Sequence, residues 1–240
     1  MDLQPYADRI QAEHDRLRHR RGWRFLESPA ATLSPYTRLA FVGLNPSGRN
    51  YEPPQASVEA GNAYRVERWG PGGQPDALQA QVRRMYEALA RDASSLTASD
   101  LMDETLAGNF CPFRSPLWAQ LERRRESIDF SVTLWADVLD VARPRAVICL
   151  GETGRLMREV LTRQGAELLE APVSHRVEMG DVTFSISRHA TLSHETVLIG
   201  LPHLFRFPFF GAPQARAAVA AFTEAVVPAL TTGRPALMAA

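Results

Sequence analysis

The apolar run at 38–42 breaks into Gly43-Leu44-Asn45-Pro46-Ser47-Gly48. A strand that ends this way sets one amide side chain, Asn45, on a rigid turn at the carboxyl end of a sheet. Open α/β sheets bind their ligands at that end. An amide is neither a strong base nor a nucleophile, but it can hold a water or a substrate edge. The run therefore predicts a sheet and a chemistry of positioning.

Periodicity along the chain extends the sheet. A second buried run, Ala146–Leu150, stops at Gly151 and leads into a helical pattern at 153–164. Further strands are expected near 104–110, 181–187 and 196–200, and helices at 76–92, 129–141 and 213–229. Residues 2–24 alternate apolar and charged positions, which makes 1–30 an N-terminal helical segment. Residues 49–75 hold four prolines and several glycines and read as a long loop excursion. The alternation of β and α elements predicts an α/β fold, a three-layer α/β/α sandwich around a central, mostly parallel sheet. One domain over 1–230 is expected, with 231–240 as a frayed tail.

Composition narrows the function. Apolar residues make up 45% of the chain, enough for a sizeable core, yet no stretch of about 18 apolar residues occurs, so no membrane span is expected. The first residues lack the basic and apolar regions of a signal peptide, and a cytoplasmic location is the default expectation. Cys111 and Cys149 sit in or beside apolar runs and read as core residues, which disfavours a disulfide scaffold, a Cys-rich zinc site or an iron–sulfur cluster. The formal net charge is zero, so nucleic-acid binding would need a local patch. All 27 basic residues are Arg and none is Lys. The planar guanidinium bonds two phosphate oxygens at once. Without lysine, a Walker-type ATPase and a lysine Schiff base are both excluded.

Three turn-like segments end predicted strands: Gly43–Gly48, Asn109-Phe110-Cys111-Pro112-Phe113-Arg114 and Gly200-Leu201-Pro202-His203-Leu204-Phe205-Arg206-Phe207. Gly151-Glu152-Thr153 forms a fourth strand-to-helix turn. In a parallel sheet these ends share one edge and can build one cleft. In order and spacing the segments resemble the uracil-DNA glycosylase superfamily over roughly 38–210. Gly43-Leu44-Asn45-Pro46-Ser47 resembles the first motif of its mismatch-specific and thymine-DNA glycosylase branch, Gly-Ile-Asn-Pro-Gly. Asn109 resembles the Asn that reads the pyrimidine edge. Val147-Ile148-Cys149-Leu150-Gly151 resembles the fourth core strand. Pro202-His203-Leu204-Phe205-Arg206 stands at the place of the second catalytic motif, usually His-Pro-Ser, with its DNA-inserting loop.

The resemblance implies hydrolysis of a pyrimidine N-glycosidic bond in single- or double-stranded DNA, with no cofactor, no metal, no membrane and no obligate protein partner. Asn45 and His203 would be catalytic, Asn45 positioning the water and His203 donating toward the leaving base. Gly43, Leu44, Pro46, Ser47 and Asn109 would line the base pocket. Tyr51, Tyr64, Trp69 and Phe110 are candidates to stack on the flipped base, with Tyr51 and Phe110 assigned to the base site. Leu204 and Phe205 would wedge into the vacated stack, and Arg49, Arg114 and Arg206 would contact phosphates. With no lysine, the enzyme would be monofunctional and leave an intact abasic site.

Two departures from the family-one pattern Gly-Gln-Asp-Pro-Tyr bear on the chemistry. Asn45 replaces the water-activating Asp, and Ser47-Gly48 stands where a bulky gate would begin. That predicts slower water activation and a roomier pocket at the pyrimidine C5 position. The order Pro202-His203-Leu204 also differs from His-Pro-Ser. A roomy pocket admits bases larger than uracil, including the hypermodified cytosine of phage DNA. Two alternatives stay open: a non-catalytic module that binds lesions or modified bases in the same cleft, and a small-molecule nucleotide hydrolase with Gly43–Gly48 cradling a phosphate. His189 and His194 are five residues apart, but no carboxylate or cysteine pattern completes a metal site around them.

Overall fold

The computed structural model describes residues 2–93, 96–177 and 182–231. Among them, six strands form one sheet: β1 (Leu39–Gly43), β2 (Leu106–Asn109), β3 (Ala146–Leu150), β4 (Glu167–Val177), β5 (Val182–Ala190) and β6 (Glu195–Leu201), in the order β2-β1-β3-β6-β5-β4. The first four in that order are mutually parallel, and β5 and β4 extend the sheet as an antiparallel ribbon. Helices cover both faces: α1 (Gln4–Arg16), α2 (Ala63–Val66), α3 (Ala77–Ala93), α4 (Ala98–Glu104), α5 (Arg124–Ala142), α6 (Thr153–Arg163) and α7 (Arg216–Thr231). The mostly parallel α/β/α sandwich expected from the sequence is the architecture observed.

The central strands are apolar without alternation because both of their faces are covered. Leu39 and Phe41 of β1 and Ile148 of β3 point into the core under α3, α4 and α7. Ala40 and Val42 of β1 and Val147 of β3 point into the second core, under α1, α5 and α6. Each such Val, Leu, Ile or Phe contributes about 1.5–3 kcal/mol when fully buried. At one point the layers approach closely enough to require glycine. A Cβ on Gly154 of α6 would stand 3.0 Å from the Cα of Gly200 in β6.

The N-terminal segment differs from the helix expected over 2–24. The helix ends at Arg16, Arg18 adopts a left-handed conformation (φ 58°), and the chain reverses through Gly22 (φ 75°). Side-chain space is also absent at Gly22, where a Cβ would lie 1.9 Å from the Glu52 carbonyl oxygen. Residues 23–27 then run extended along the free edge of β2. The Glu27 N–H donates to the Ala107 carbonyl (2.8 Å), and the Asn109 N–H donates to the Phe25 carbonyl (2.9 Å). The reason is burial, since Trp23, Phe25 and Leu26 are all core residues. The excursion at 49–75 contains only α2 and a short 3-10 turn, and its residues 55 and 56 hydrogen-bond to this same segment. No helix among the described residues is long and apolar enough to cross a membrane.

The topology places the ligand edge. After β1 the chain passes to the α3 face, whereas β2 and β3 lead into α5 and α6 on the other face. Connections diverge around β1, so the carboxyl end of β1 is a topological switch point.

Candidate functional site

At that edge the loops after β1 and β2 run side by side. The Phe110 N–H donates to the Gly43 carbonyl (2.8 Å), the Cys111 N–H to Leu44 (2.9 Å) and the Ser115 N–H to Pro46 (3.2 Å). This ladder continues the parallel register of Gly43 and Asn109 beyond the sheet. It brings the two predicted amides, Asn45 and Asn109, onto neighbouring, mutually braced loops.

The orientation of each amide is fixed by its partners. The Asn45 Nδ2 donates to the carbonyls of Pro46 (3.1 Å) and Phe113 (3.4 Å) and to Ser115 Oγ (3.0 Å). Carbonyls accept only, and Ser115 Oγ already donates to the Leu117 carbonyl (2.9 Å). The Asn109 Nδ2 donates to Glu27 Oε1 (2.8 Å) and, at longer range, to the Arg24 carbonyl (3.5 Å). Both NH2 groups are thus spent within the protein. Both Oδ1 atoms are left without a donor among the described residues. Asn109 is itself buried, 4% exposed, and its Oδ1 lies on the side of buried Gly43 that carries no side chain. A Cβ there would lie 3.4 Å from it and 3.5 Å from the Tyr64 hydroxyl.

Behind Asn109 lies a buried charge network that the sequence reading missed. Glu27, only 4% exposed, pairs through Oε2 with Arg24 Nη2 (2.7 Å). Arg24 forks onto both oxygens of Glu67 (3.0 and 2.7 Å), and Glu67 also accepts from Trp69 Nε1 (2.7 Å). Burial pushes the Glu27 pKa up, and Arg24 and the Asn109 amide oppose that rise without cancelling it. Burial acts the same way on Glu67, but there the bonds from Arg24 and Trp69 prevail and its pKa falls. In sequence, Glu27 follows a short apolar run and belongs to no motif. Only the pairing of its segment with β2 brings it to Asn109.

The remaining predicted residues divide. Leu44 is partly buried, Pro46 is buried and Ser47 is exposed at the mouth of the loop. Arg49 and Tyr51 are exposed on the excursion, Tyr51 at 63%. Phe110 is fully buried in the core and offers no ring face to a base. Tyr64 is buried with its ring edge-on to Trp69, centroids 4.9 Å apart, and Trp69 is partly exposed. Arg114 differs from its expected role on the surface. It is buried, pairing with Glu52 (2.7 Å) and donating to the Ser47 carbonyl (2.9 Å), so it braces the first loop.

His203 stands over the neighbouring strand ends, its Cδ2 3.9 Å from where a Cβ of Gly151 would be. The residue is exposed, yet partial desolvation of the ring and then the charge of Arg206 lower its pKa, keeping the imidazole neutral near pH 7. Leu204 also differs from expectation. It is buried in the core below the loop, which leaves Phe205, 57% exposed, as the apolar tip. Arg206 is exposed beside it. Leu117, on the loop after β2, is a further exposed apolar side chain at this edge that the sequence did not single out.

His189 donates or accepts within a pair with Ser187 Oγ (3.0 Å), and His194 bonds Thr191 Oγ1 (2.9 Å). Among the described residues, no three His, Cys, Asp or Glu side chains are grouped to hold a metal ion. A cavity of about 660 Å³ lies elsewhere, between α3 and α7 near Arg84, Phe210 and Arg216. No protein-family model matches the chain, and no curated protein matches it.

Proposed function

We propose that the chain is a monofunctional DNA glycosylase. It hydrolyses the N-glycosidic bond of a flipped pyrimidine in DNA and leaves an abasic site. The base would be uracil, a mismatched base or a 5-modified cytosine such as the glucosylated hydroxymethylcytosine of phage DNA. The cytoplasm, with repair or defence against foreign DNA as the setting, fits this reading. The observation that carries it is the pair of braced amides beside the switch point, each with its NH2 held by the protein and its carbonyl oxygen without a donor among the described residues.

In this reading a water donates one O–H to the Asn45 Oδ1, which aims its lone pair at the sugar. As C1′–N1 breaks, its electron pair passes to the base. The water oxygen bonds C1′, and the water's spare proton leaves to solvent. Neutral His203 donates toward the base oxygen on which negative charge grows. The Asn109 Oδ1 accepts from an N–H on the base edge. Phe205 fills the vacated stack, and Arg49 and Arg206 meet phosphates. The absence of lysine supports hydrolysis without strand nicking.

The test is base release from single and double strands carrying uracil, a G·T mismatch, 5-hydroxymethylcytosine or its glucosylated form, scored by alkali-dependent cleavage. Release from one substrate is expected, falling at least 100-fold in Asn45→Ala. Nicking without alkali would remove the monofunctional assignment. Tight binding to one of these DNAs with no release from any would favour a non-catalytic binding module.

A further inference from the structure

A buried carboxylate is costly, and a hydrophobic side chain would hold the same strand edge as well. Glu27 is nevertheless held tightly against Asn109. Its backbone is bonded to β2 through Ala107, and its Oε2 makes a 2.7 Å ion pair with Arg24 Nη2 that lacks hydrogen-bond geometry, Arg24 being itself forked onto Glu67. Its Oε1 receives the Asn109 Nδ2 at 2.8 Å. Ion-paired with Arg24 as a carboxylate, Glu27 only accepts, so it admits one of the two orientations of the amide, with Nδ2 toward Glu27 and Oδ1 toward Gly43.

That choice has a chemical consequence for a pyrimidine. Keto-type bases (uracil, thymine) and amino-type bases (cytosine and its 5-derivatives) carry opposite hydrogen-bonding groups at both N3 and position 4. Uracil offers N3–H and O4, while cytosine offers N3 and an N4 amino group. Whichever of the two positions meets Asn109, a fixed acceptor suits one class and opposes the other. An amide free to turn would suit both.

We infer that Glu27 is a positioning residue that makes the site choose between keto-type and amino-type pyrimidines by locking the Asn109 carboxamide. The inference rests on the glycosylase reading for its substrate, but the lock itself is a property of the free protein.

Two measurements separate the parts. In identical duplexes, kcat/KM is measured for a keto-type and an amino-type base with wild type and with Glu27→Gln, whose side-chain amide can pair with either orientation of Asn109. The wild-type ratio should be one-sided and should shrink at least tenfold in Glu27→Gln. A purely structural role would lower both values together, and an unchanged ratio overturns the inference. Independently of activity, the side-chain NH2 signals of Asn109 are identified by NMR through their loss in Asn109→Asp. They should be protected from hydrogen exchange in wild type and lose that protection in Glu27→Gln. Absence of protection in wild type overturns the lock, and this arm stands even if Glu27→Gln does not fold. Protection present but no base released from any DNA would keep the lock and reject the glycosylase reading.

Discussion

At the scale of single residues, Asn45 shows how much an amide differs from the acid of equal size. An Asp at this position is the stronger activator of water, and exchanging one for the other looks conservative. The structure argues otherwise, because the Asn45 NH2 donates to the carbonyls of Pro46 and Phe113. In Asn45→Asp a carboxylate oxygen would face those two oxygens, with only Ser115 Oγ able to turn and donate. Losing the bonds and leaving the acceptors unpaired costs about 1–3 kcal/mol. For a domain of this size the melting temperature should fall by roughly 2–4 °C for each kcal/mol. The sign with pH follows. The new carboxyl would have a folded pKa raised above its unfolded value, so its penalty is full at high pH. That penalty shrinks as pH falls through the raised pKa, where the proton restores a donor. Thermal melts of both proteins at pH 7 and pH 5 test this, and a deficit that grows toward pH 5 would refute it.

At the scale of elements, the seam between α1 and α5 carries its own titration. His19 follows the end of α1, stacks on Phe113 with ring centroids 4.2 Å apart, and bonds Ser127 of α5 through Nε2 (3.1 Å). Burial, then the nearby His14, lowers its pKa from 6.5 to about 4, against weaker raising effects of Glu122 and Glu13. The unfolded chain therefore binds a proton that the folded chain refuses between these values. Stability should be full above pH 6.5 and decline as pH falls toward 4, by up to about 3 kcal/mol from this group. Urea unfolding of wild type and His19→Asn across that window should give a steeper pH slope in wild type. Equal slopes would remove His19 as the cause. The same elements show what was legible in the sequence. The apolar runs of β1 and β3 and the helical periods of α3, α6 and α7 were readable, because both sheet faces are buried and the helices have one apolar side. β4 was not, since it is an exposed edge with Pro172, charges and register shifts that give it no two-residue period. α4 was overlooked although Thr97 and Asp100 form a capping box. In the candidate site, the positions of Asn45, Asn109 and His203 at or just beyond strand ends were legible, because apolar runs stop there. The contact of Glu27 with Asn109 was not, since it joins residues 82 apart in sequence.

At the scale of the whole molecule, the absence of lysine acquires a structural meaning. A net charge of zero with 27 arginines leaves few of them for a polyanion if most are engaged internally, and many are. Arg24 binds Glu27 and Glu67, Arg114 binds Glu52, and Arg65 binds Asp103. Arg83 donates to the carbonyls of Tyr64 and Arg65 at the end of α2, and Arg38 donates to the Leu230 carbonyl of α7. A guanidinium suits such work, since its rigid fork ties loops to carbonyls and carboxylates. At the carboxyl edge this leaves Arg49 and Arg206 as exposed cations whose side chains have no partner among the described residues. Each neutralised phosphate contributes about −0.9 to the slope of log affinity against log salt. DNA binding should therefore be shallow in its salt dependence, with a slope of roughly −2 to −4. Arg49→Gln should flatten it by about 1 while weakening all sequences alike. Fluorescence anisotropy with a labelled duplex across a salt series measures both. A slope near −6 or steeper would show that other arginines, such as the exposed Arg123–Arg125 run at the start of α5, carry the contact, and the cleft edge would then be only part of the interface.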